Sequence, residues 1–195
     1  PIVVVAGGNE AVYYEDSISK KKHGYLASPP YKKLSTRITV KFSNALLYVS
    51  KYMENHVRSL GAKRMFMVHN SVNTNVFKPI ATKGKYISTI FSMDGNAYDL
   101  KRGENFFRSL VPVIAQNPNQ MILVMGKKGN RFNEVKTLIS KLGIEKNIEF
   151  SGLVSNSKVV SFLQNSSIYV QVSDTETFGL AVAEAMSTGV PCVVS

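Results

Sequence analysis

Two carboxylates, Glu176 and Glu184, stand eight positions apart in ETFGLAVAEAMSTGVPCVVS, residues 176–195. The stretch reads as a loop, a short helix, a tight turn and a buried strand. The helix is apolar nearly all round, with Leu180, Ala181, Val182, Ala183, Ala185 and Met186, which marks it for burial. A carboxylate in such a helix is costly unless donors meet it. Ligand hydroxyls would serve, and so would a Lys or Arg of a facing domain. Glu184 shares a face with Thr177, Ala181 and Thr188 by the three-or-four spacing, a small polar stripe on which a ligand can lie. The helix entry, Thr177-Phe178-Gly179, offers unpaired N–H groups and a partial positive charge. That is a setting for phosphate, worth ~0.3–1 kcal/mol and up to ~2 kcal/mol when partly buried. Gly179 has no Cβ, so a ligand can come close to the backbone. A sugar nucleotide suits this arrangement, with its diphosphate at the helix start and its hydroxyls at the two glutamates. A plain structural role uses the same residues: Glu184 in an ion pair, Glu176 favouring the helix dipole.

Such residues need a frame. Apolar runs alternate with helical patterns along the chain. IVVVA (2–6) reads as a buried strand, residues 33–45 as near-helical, LYVS (47–50) as a strand, 51–61 as a helix and RMFMVHN (64–70) as a strand. The polar, turn-rich segment SVNTNVFKPIATKGKY reads as a linker. Beyond it come strand 86–93, a long loop, helix 103–116, strand 121–126, helix 130–143, strand 148–152, helix 157–166 with Ser155 as N-cap, and strand 167–173. Strand and helix alternating over short joints predict parallel sheets covered on both faces. The expected architecture is α/β, with two Rossmann-like parallel-sheet domains at 1–79 and 80–195. Ligands of such sheets bind at the carboxyl ends of the strands, and Glu176 follows strand 167–173.

The 195 residues carry a net charge of +11, unevenly placed. Residues 1–79 hold 12 Lys/Arg against 4 Asp/Glu, whereas 80–195 hold 12 against 9. A basic first half implies an anionic partner: a membrane surface, a phosphorylated substrate or a nucleic acid. No apolar run reaches the ~18–20 residues of a membrane span, and no secretory signal is visible. The lone Cys192 lies in an apolar strand and has no internal disulfide partner, which makes a reducing compartment the default. The expected location is cytoplasmic, peripheral to the membrane. The chain opens on Pro1 and directly on a strand, from which a missing start is expected.

The closing stretch resembles the C-terminal signature of the retaining GT-B glycosyltransferases of family 4, E-x-F-G-x-x-x-x-E-A-M-x-x-G-x-P. Glu176, Phe178, Gly179, Glu184, Ala185, Met186, Gly189 and Pro191 stand in its places. Ser173 matches the serine before the motif. FSGLVSNSKVVSFLQNSSIYV is similar to the family's strand, Gly turn and helix, and LVMGKKGN resembles a G-x-G strand end through Gly126. ALLYVSKYMENHVRSLGA and VHNSVNTNVFKP resemble the end of the N-terminal domain and the hinge.

The resemblance implies roles. Glu176 contacts the donor sugar, Glu184 binds ribose hydroxyls, and the backbone at Phe178, Gly179 and Leu180 meets the distal phosphate and sugar, with Gly126 and Ser173 lining the donor site. Arg102-Gly103 takes the place of a K-G pair that grips the diphosphate, with Lys101 beside it. Arg forks onto phosphate oxygens, so the exchange is chemically sound. The implied reaction moves a sugar from a nucleotide-diphosphate sugar to a glycan, lipid or small-molecule acceptor with retained anomeric configuration. Charge on the departing diphosphate is stabilised by Arg102, Lys101 and the helix start. No resident cofactor is expected. Asp174-Thr175-Glu176 only approaches a D-x-D metal motif, so no metal is expected. Two places depart from the pattern: Phe91-Ser92 stands where a Gly-Arg pair is usual, and Asn70-Ser71-Val72-Asn73 where N-G-V-D is usual. The family also extends beyond both ends of the chain, from which a fragment of a larger enzyme is expected. A GT-B epimerase or phosphorylase, and a non-catalytic module binding anionic surfaces, are the other readings.

The stretch KKKHGYLASPPYKK (20–33) reads either as a solvated loop or as a contact with an anionic membrane or lipid-phosphate acceptor. Nucleic acid is disfavoured, because no recognition motif accompanies it. Gly7, Gly8 and Asn9 follow the first strand and are acceptor-side candidates, or a plain strand-end turn. His69 reads as a satisfied histidine, and Met65, Met67, Met121 and Met125 as core.

Overall fold

The computed structural model describes residues 1–7, 13–15, 22–81 and 84–195. They form two compact units. The first comprises Pro1–Ser71 with Thr175–Gly179, and the second Val72–Asp174 with Leu180–Ser195. The boundary expected from the sequence falls later, after residue 79.

In the first unit, β1 (Val3–Ala6), β4 (Ala45–Tyr48) and β5 (Met65–Met67) form a parallel sheet in that order. Between β1 and β4 lie an antiparallel hairpin, β2 (Tyr13–Glu15) with β3 (Lys22–Gly24), and helix α1 (Pro30–Phe42). Helix α2 (Glu54–Ser59) precedes β5. One face of the sheet is dry: Ala6, Leu46 and Tyr48 pack with Val40, Met53, Val57 and Leu60. Side chains alternate across a strand, so Val3 and Val5 point to the opposite face. They are 56% and 64% exposed. β1 is therefore a strand, but the burial expected of IVVVA holds only for its inner face.

The second unit is a five-stranded, all-parallel sheet in the order β10-β9-β6-β7-β8. Its strands are β6 (Tyr86–Ile90), β7 (Met121–Met125), β8 (Ile148–Gly152), β9 (Ser166–Gln171) and β10 (Cys192–Val194). Its helices are α3 (Gly95–Leu100), α4 (Gly103–Gln116), α5 (Phe132–Lys141), α6 (Asn156–Gln164) and α7 (Leu180–Ser187). The strand order reverses between β6 and β9, the switch point where a crevice opens in doubly wound sheets. Buried on both faces, β7 splits its side chains between two cores. Ile122 and Val124 join Phe106, Phe107, Leu110, Val135 and Ile139. Leu123 and Met125 join Val160, Leu163, Tyr169 and Ala185. The apolar positions of α4 and α5 therefore fall on the faces their spacing predicts.

Four local expectations change. The supposed long loop after β6 contains α3, whose Tyr98 is buried. The supposed linker docks on the second unit through Val72 and buried Phe77. Ser155 takes the N-cap place of α6, but its hydroxyl pairs with that of Ser157 at 2.9 Å rather than capping the backbone. Cys192 is half-buried rather than buried, its thiol directed at the Val190 carbonyl at 3.4 Å, and burial raises its pKa. Among the described residues no helix is long and apolar enough to cross a membrane.

Candidate active site

The switch-point end of the second unit is built by the loops after β6 and β9. Arg102 caps α4 with a left-handed backbone, φ 48°, uncommon for a residue with a Cβ. Its N–H donates to the Asp99 carbonyl at 2.9 Å. Its guanidinium Nε donates to the Asp174 carboxylate, and the Asp174 N–H donates to the Leu100 carbonyl at 2.9 Å. The loop that carries Arg102 is thereby tied to the end of β9. Lys101 closes α3, its N–H on the Ala97 carbonyl at 3.2 Å. Ser173 lies beside Asp174, its carbonyl accepting the Ser195 hydroxyl at 3.1 Å.

Phe91, in the place of the usual glycine, is a core residue. Its ring meets Phe106 at 5.9 Å, Tyr98 at 6.0 Å and Phe107 at 6.1 Å. Ser92 donates to Asp94 Oδ2 at 3.4 Å, and Lys127 Nζ reaches the same oxygen at 2.7 Å. Lys127 and the Asn130 N–H hold the Asp94 carboxyl below its ordinary value. A cation from the neighbouring strand end thus stands by the place where the family pattern has its Arg.

Gly126 owes its identity to packing. Its φ is 134°, and a Cβ there would lie 2.2 Å from the Phe91 carbonyl oxygen, a contact between backbones that cannot give. Gly126→Ala is expected to destabilise the second unit by about 1–3 kcal/mol, read from urea unfolding. An unchanged midpoint would show that β6 and β7 part easily.

Glu184 lies on α7, half-buried. Burial raises its pKa. Among the described residues no side chain or backbone donor meets its carboxylate, and no cation pairs with it. The raised value has a consequence for stability. The folded state holds the proton more tightly than the unfolded chain, so the stabilisation present below the unfolded value is lost as pH rises through the folded one. Glu184→Gln is therefore expected to melt above wild type at pH 7, the gap closing below the ordinary value of 4.5. A lower melting temperature at pH 7 would mean the carboxylate holds the fold together.

The other candidates, Leu180 aside, belong to the first unit. Phe178 packs on its core and tilts against His69, ring centroids 6.0 Å apart. His69 Nδ1 donates to the Val49 carbonyl at 2.9 Å, the satisfied role expected of it. Thr175 donates to the Tyr52 hydroxyl at 3.0 Å, and Thr177 to the Gly7 carbonyl at 3.4 Å. The segment holding Glu176 and Phe178 is thereby brought to Gly7. Gly179 has φ 80°, a backbone that disfavours any side chain where the chain turns into α7. Leu180 opens α7 and is exposed. Gly8 and Asn9 lie outside the described residues, as do Lys20 and Lys21 of the basic stretch.

Two functional candidates escape a reading of the sequence alone. Asp174 is visible there only as part of a broken metal motif; it partners Arg102. Lys127 is visible only as one of two lysines after a strand, with no signal linking it to Ser92.

The sequence pattern of the glycosyl transferases group 1 family matches residues 90–195, more than half of the chain. A subunit of the phosphatidylinositol N-acetylglucosaminyltransferase of Arabidopsis thaliana is 28% identical over 131 residues, 67% of this chain and 29% of the relative. The UDP-Gal:alpha-D-GlcNAc-diphosphoundecaprenol alpha-1,3-galactosyltransferase of Escherichia coli is 26% identical over 144 residues, 68% of this chain and 36% of the relative. Among solved structures, HepE of Anabaena in complex with UDP and glucose superposes with a TM-score of 0.69 at 16% identity, covering 100% of this chain and 52% of that one. The chain thus spans about a third of the curated relatives and shares the GT-B fold of the structural one. Residues, fold and relatives agree: the chain belongs to the glycosyl transferases group 1 family.

Proposed function

We propose that the protein moves a sugar from a nucleotide-diphosphate sugar to a glycan or lipid-linked acceptor, with retained anomeric configuration. One observation carries the reading. Glu184 is a half-buried carboxylate that no protein donor meets among the described residues, in an apolar helix that starts at the ligand-binding end of a doubly wound sheet. Ribose hydroxyls are donors of the right kind, and they relieve the cost of burial when bound.

The rest of the machinery follows the same chemistry. Arg102 and Lys101 face the diphosphate as the bond from the anomeric carbon to the diphosphate oxygen breaks and the electron pair moves to that oxygen. Fixed cations stabilise that growing charge without reorganising. The acceptor hydroxyl attacks on the face the diphosphate leaves, and its proton passes to the departing oxygen. Glu176 holds the donor sugar. No side-chain nucleophile is needed. A uridine donor is the first to try: the galactosyltransferase relative is named for UDP-Gal and HepE holds UDP.

Proton NMR of the product tests the reaction. A transferred sugar with the donor's anomeric configuration supports the reading. An inverted centre rejects retention, and donor consumed with an epimerised sugar and no product rejects transfer.

A further inference from the structure

We propose that Arg131 is a positioning residue for sugar transfer, acting through α3 to hold Arg102 against the departing diphosphate. The proposal rests on the reading of Arg102 given above and adds a second residue to it.

Arg102 keeps a left-handed backbone, φ 48°. A residue with a Cβ stays in that region only where its surroundings over-determine it. Its N–H is held by the carbonyl of Asp99, in the last turn of α3. The same helix also fixes the partner of the Arg102 guanidinium, because the Leu100 carbonyl accepts the Asp174 N–H. The place of Arg102 is thus only as firm as α3. A helix from Gly95 to Leu100 is too short to hold its shape unaided. Its support must come from outside.

Arg131, the N-cap residue of α5, meets α3 at both ends. Its N–H donates to the Met93 carbonyl at 3.0 Å, just before the helix begins. Its Nη1 donates to the Asp99 carboxylate at 2.9 Å, and its Cζ stands 5.0 Å from the centre of the Tyr98 ring. Tyr98 passes the contact on. A Cβ on Gly103, the residue after Arg102, would lie 2.1 Å from that ring. The ring is therefore wedged between Arg131 and the first turn of α4. A second latch joins the same two loops: Asp94 accepts the Asn130 N–H at 3.0 Å, and Asn130 Oδ1 accepts the Gly95 N–H at 2.9 Å. The side chains of Arg131 and Asp99 are 27% and 28% exposed, so water screens this pair less than a surface pair. The Arg131 guanidinium is engaged by Asp99, Glu134 and the Tyr98 ring, which makes it a support and not a phosphate ligand.

A double-mutant cycle on the binding of inorganic pyrophosphate tests this, because that probe fills a diphosphate place without a choice of base. Arg102→Ala is expected to weaken binding by about tenfold or more, the scale of hydrogen bonds between charged groups. Arg131→Met keeps an apolar stem and loses the fork; it is expected to weaken binding about fivefold, within the range for residues of one network. In the Arg102→Ala background the same change is expected to alter binding by less than about twofold, because the residue it acts through is gone. Arg131→Lys is expected to recover part of the loss. Arg108→Met breaks the exposed pair with Glu104 on α4 and is expected to leave binding within about twofold of wild type. Hydrogen exchange at the Lys101 and Arg102 amides is expected to quicken by about fivefold or more in Arg131→Met. Circular dichroism checks that each variant is folded. An equal loss with and without Arg102, or unchanged exchange at the two amides, would overturn the proposal and leave the donor reading standing. Full binding by Arg102→Ala would overturn both.

Discussion

Arg102→Ala is expected to lower the kcat/KM of sugar transfer roughly 100- to 1000-fold, the scale for losing one preorganised group that meets transition-state charge. The residue is fixed three ways. Its backbone is held left-handed at the cap of α4, its N–H is held by Asp99, and its guanidinium is held by Asp174. A cation so constrained acts without first being ordered. Alanine removes the charge and the Arg102 partner of the Asp174 carboxylate, so at the proposed diphosphate site repulsion adds to the loss. Arg102→Lys keeps a charge but loses the fork, and is expected to recover only part of the rate. The fold should survive both changes, because Arg102 sits at the rim of the sheet and not in either core. Steady-state kinetics with a parallel melting curve check this. A loss below about threefold for Arg102→Ala would remove Arg102 from the diphosphate site.

Phe107→Ala is expected to destabilise the second unit by about 3–5 kcal/mol, the range for deleting a buried aromatic ring. Phe107 is fully buried between α4 and the sheet. Its ring meets Phe106 at 5.3 Å, Phe91 at 6.1 Å and Phe150 at 6.3 Å. Deleting it leaves a cavity that three neighbouring rings cannot fill without leaving their rotamers. Stability of a domain is only about 5–15 kcal/mol, so much of it is at stake. The site is affected as well, because α4 carries Arg102 at its first turn. Urea unfolding measures the cost, and nucleotide binding should fall with the folded fraction. A cost under about 1 kcal/mol would show that this aromatic cluster adapts to the missing ring.

The second unit is largely legible in the sequence because its signals are long and consistent. α4 repeats its apolar positions through Phe106, Phe107, Leu110 and Ile114, and β7 is apolar throughout, as a strand buried on both faces must be. α3 is hidden because it is six residues long, begins with Gly95 and is held mainly by one buried ring, Tyr98. The hairpin of β2 and β3 is hidden because three-residue strands carry no periodicity. The burial of β1 is overestimated because an all-apolar run gives no clue to which face is covered; only pairing with β4 shows Val3 and Val5 on the open side. Of the proposed site, Glu176, Glu184 and Arg102 are named through the family resemblance and not by spacing alone, which leaves a structural role for the glutamates open. Asp174 is not named, because its partner lies 72 positions away and no local pattern records such a pair.

Calorimetric titration of UDP, GDP and ADP into wild-type protein and Glu184→Gln is the measurement to make first. One diphosphate is expected to bind wild type, and Glu184→Gln is expected to weaken it by about tenfold or more, the cost of losing a charged acceptor for ligand hydroxyls, while the variant stays folded. Equal binding by both proteins would remove Glu184 from the donor site and return it to a purely structural place in α7.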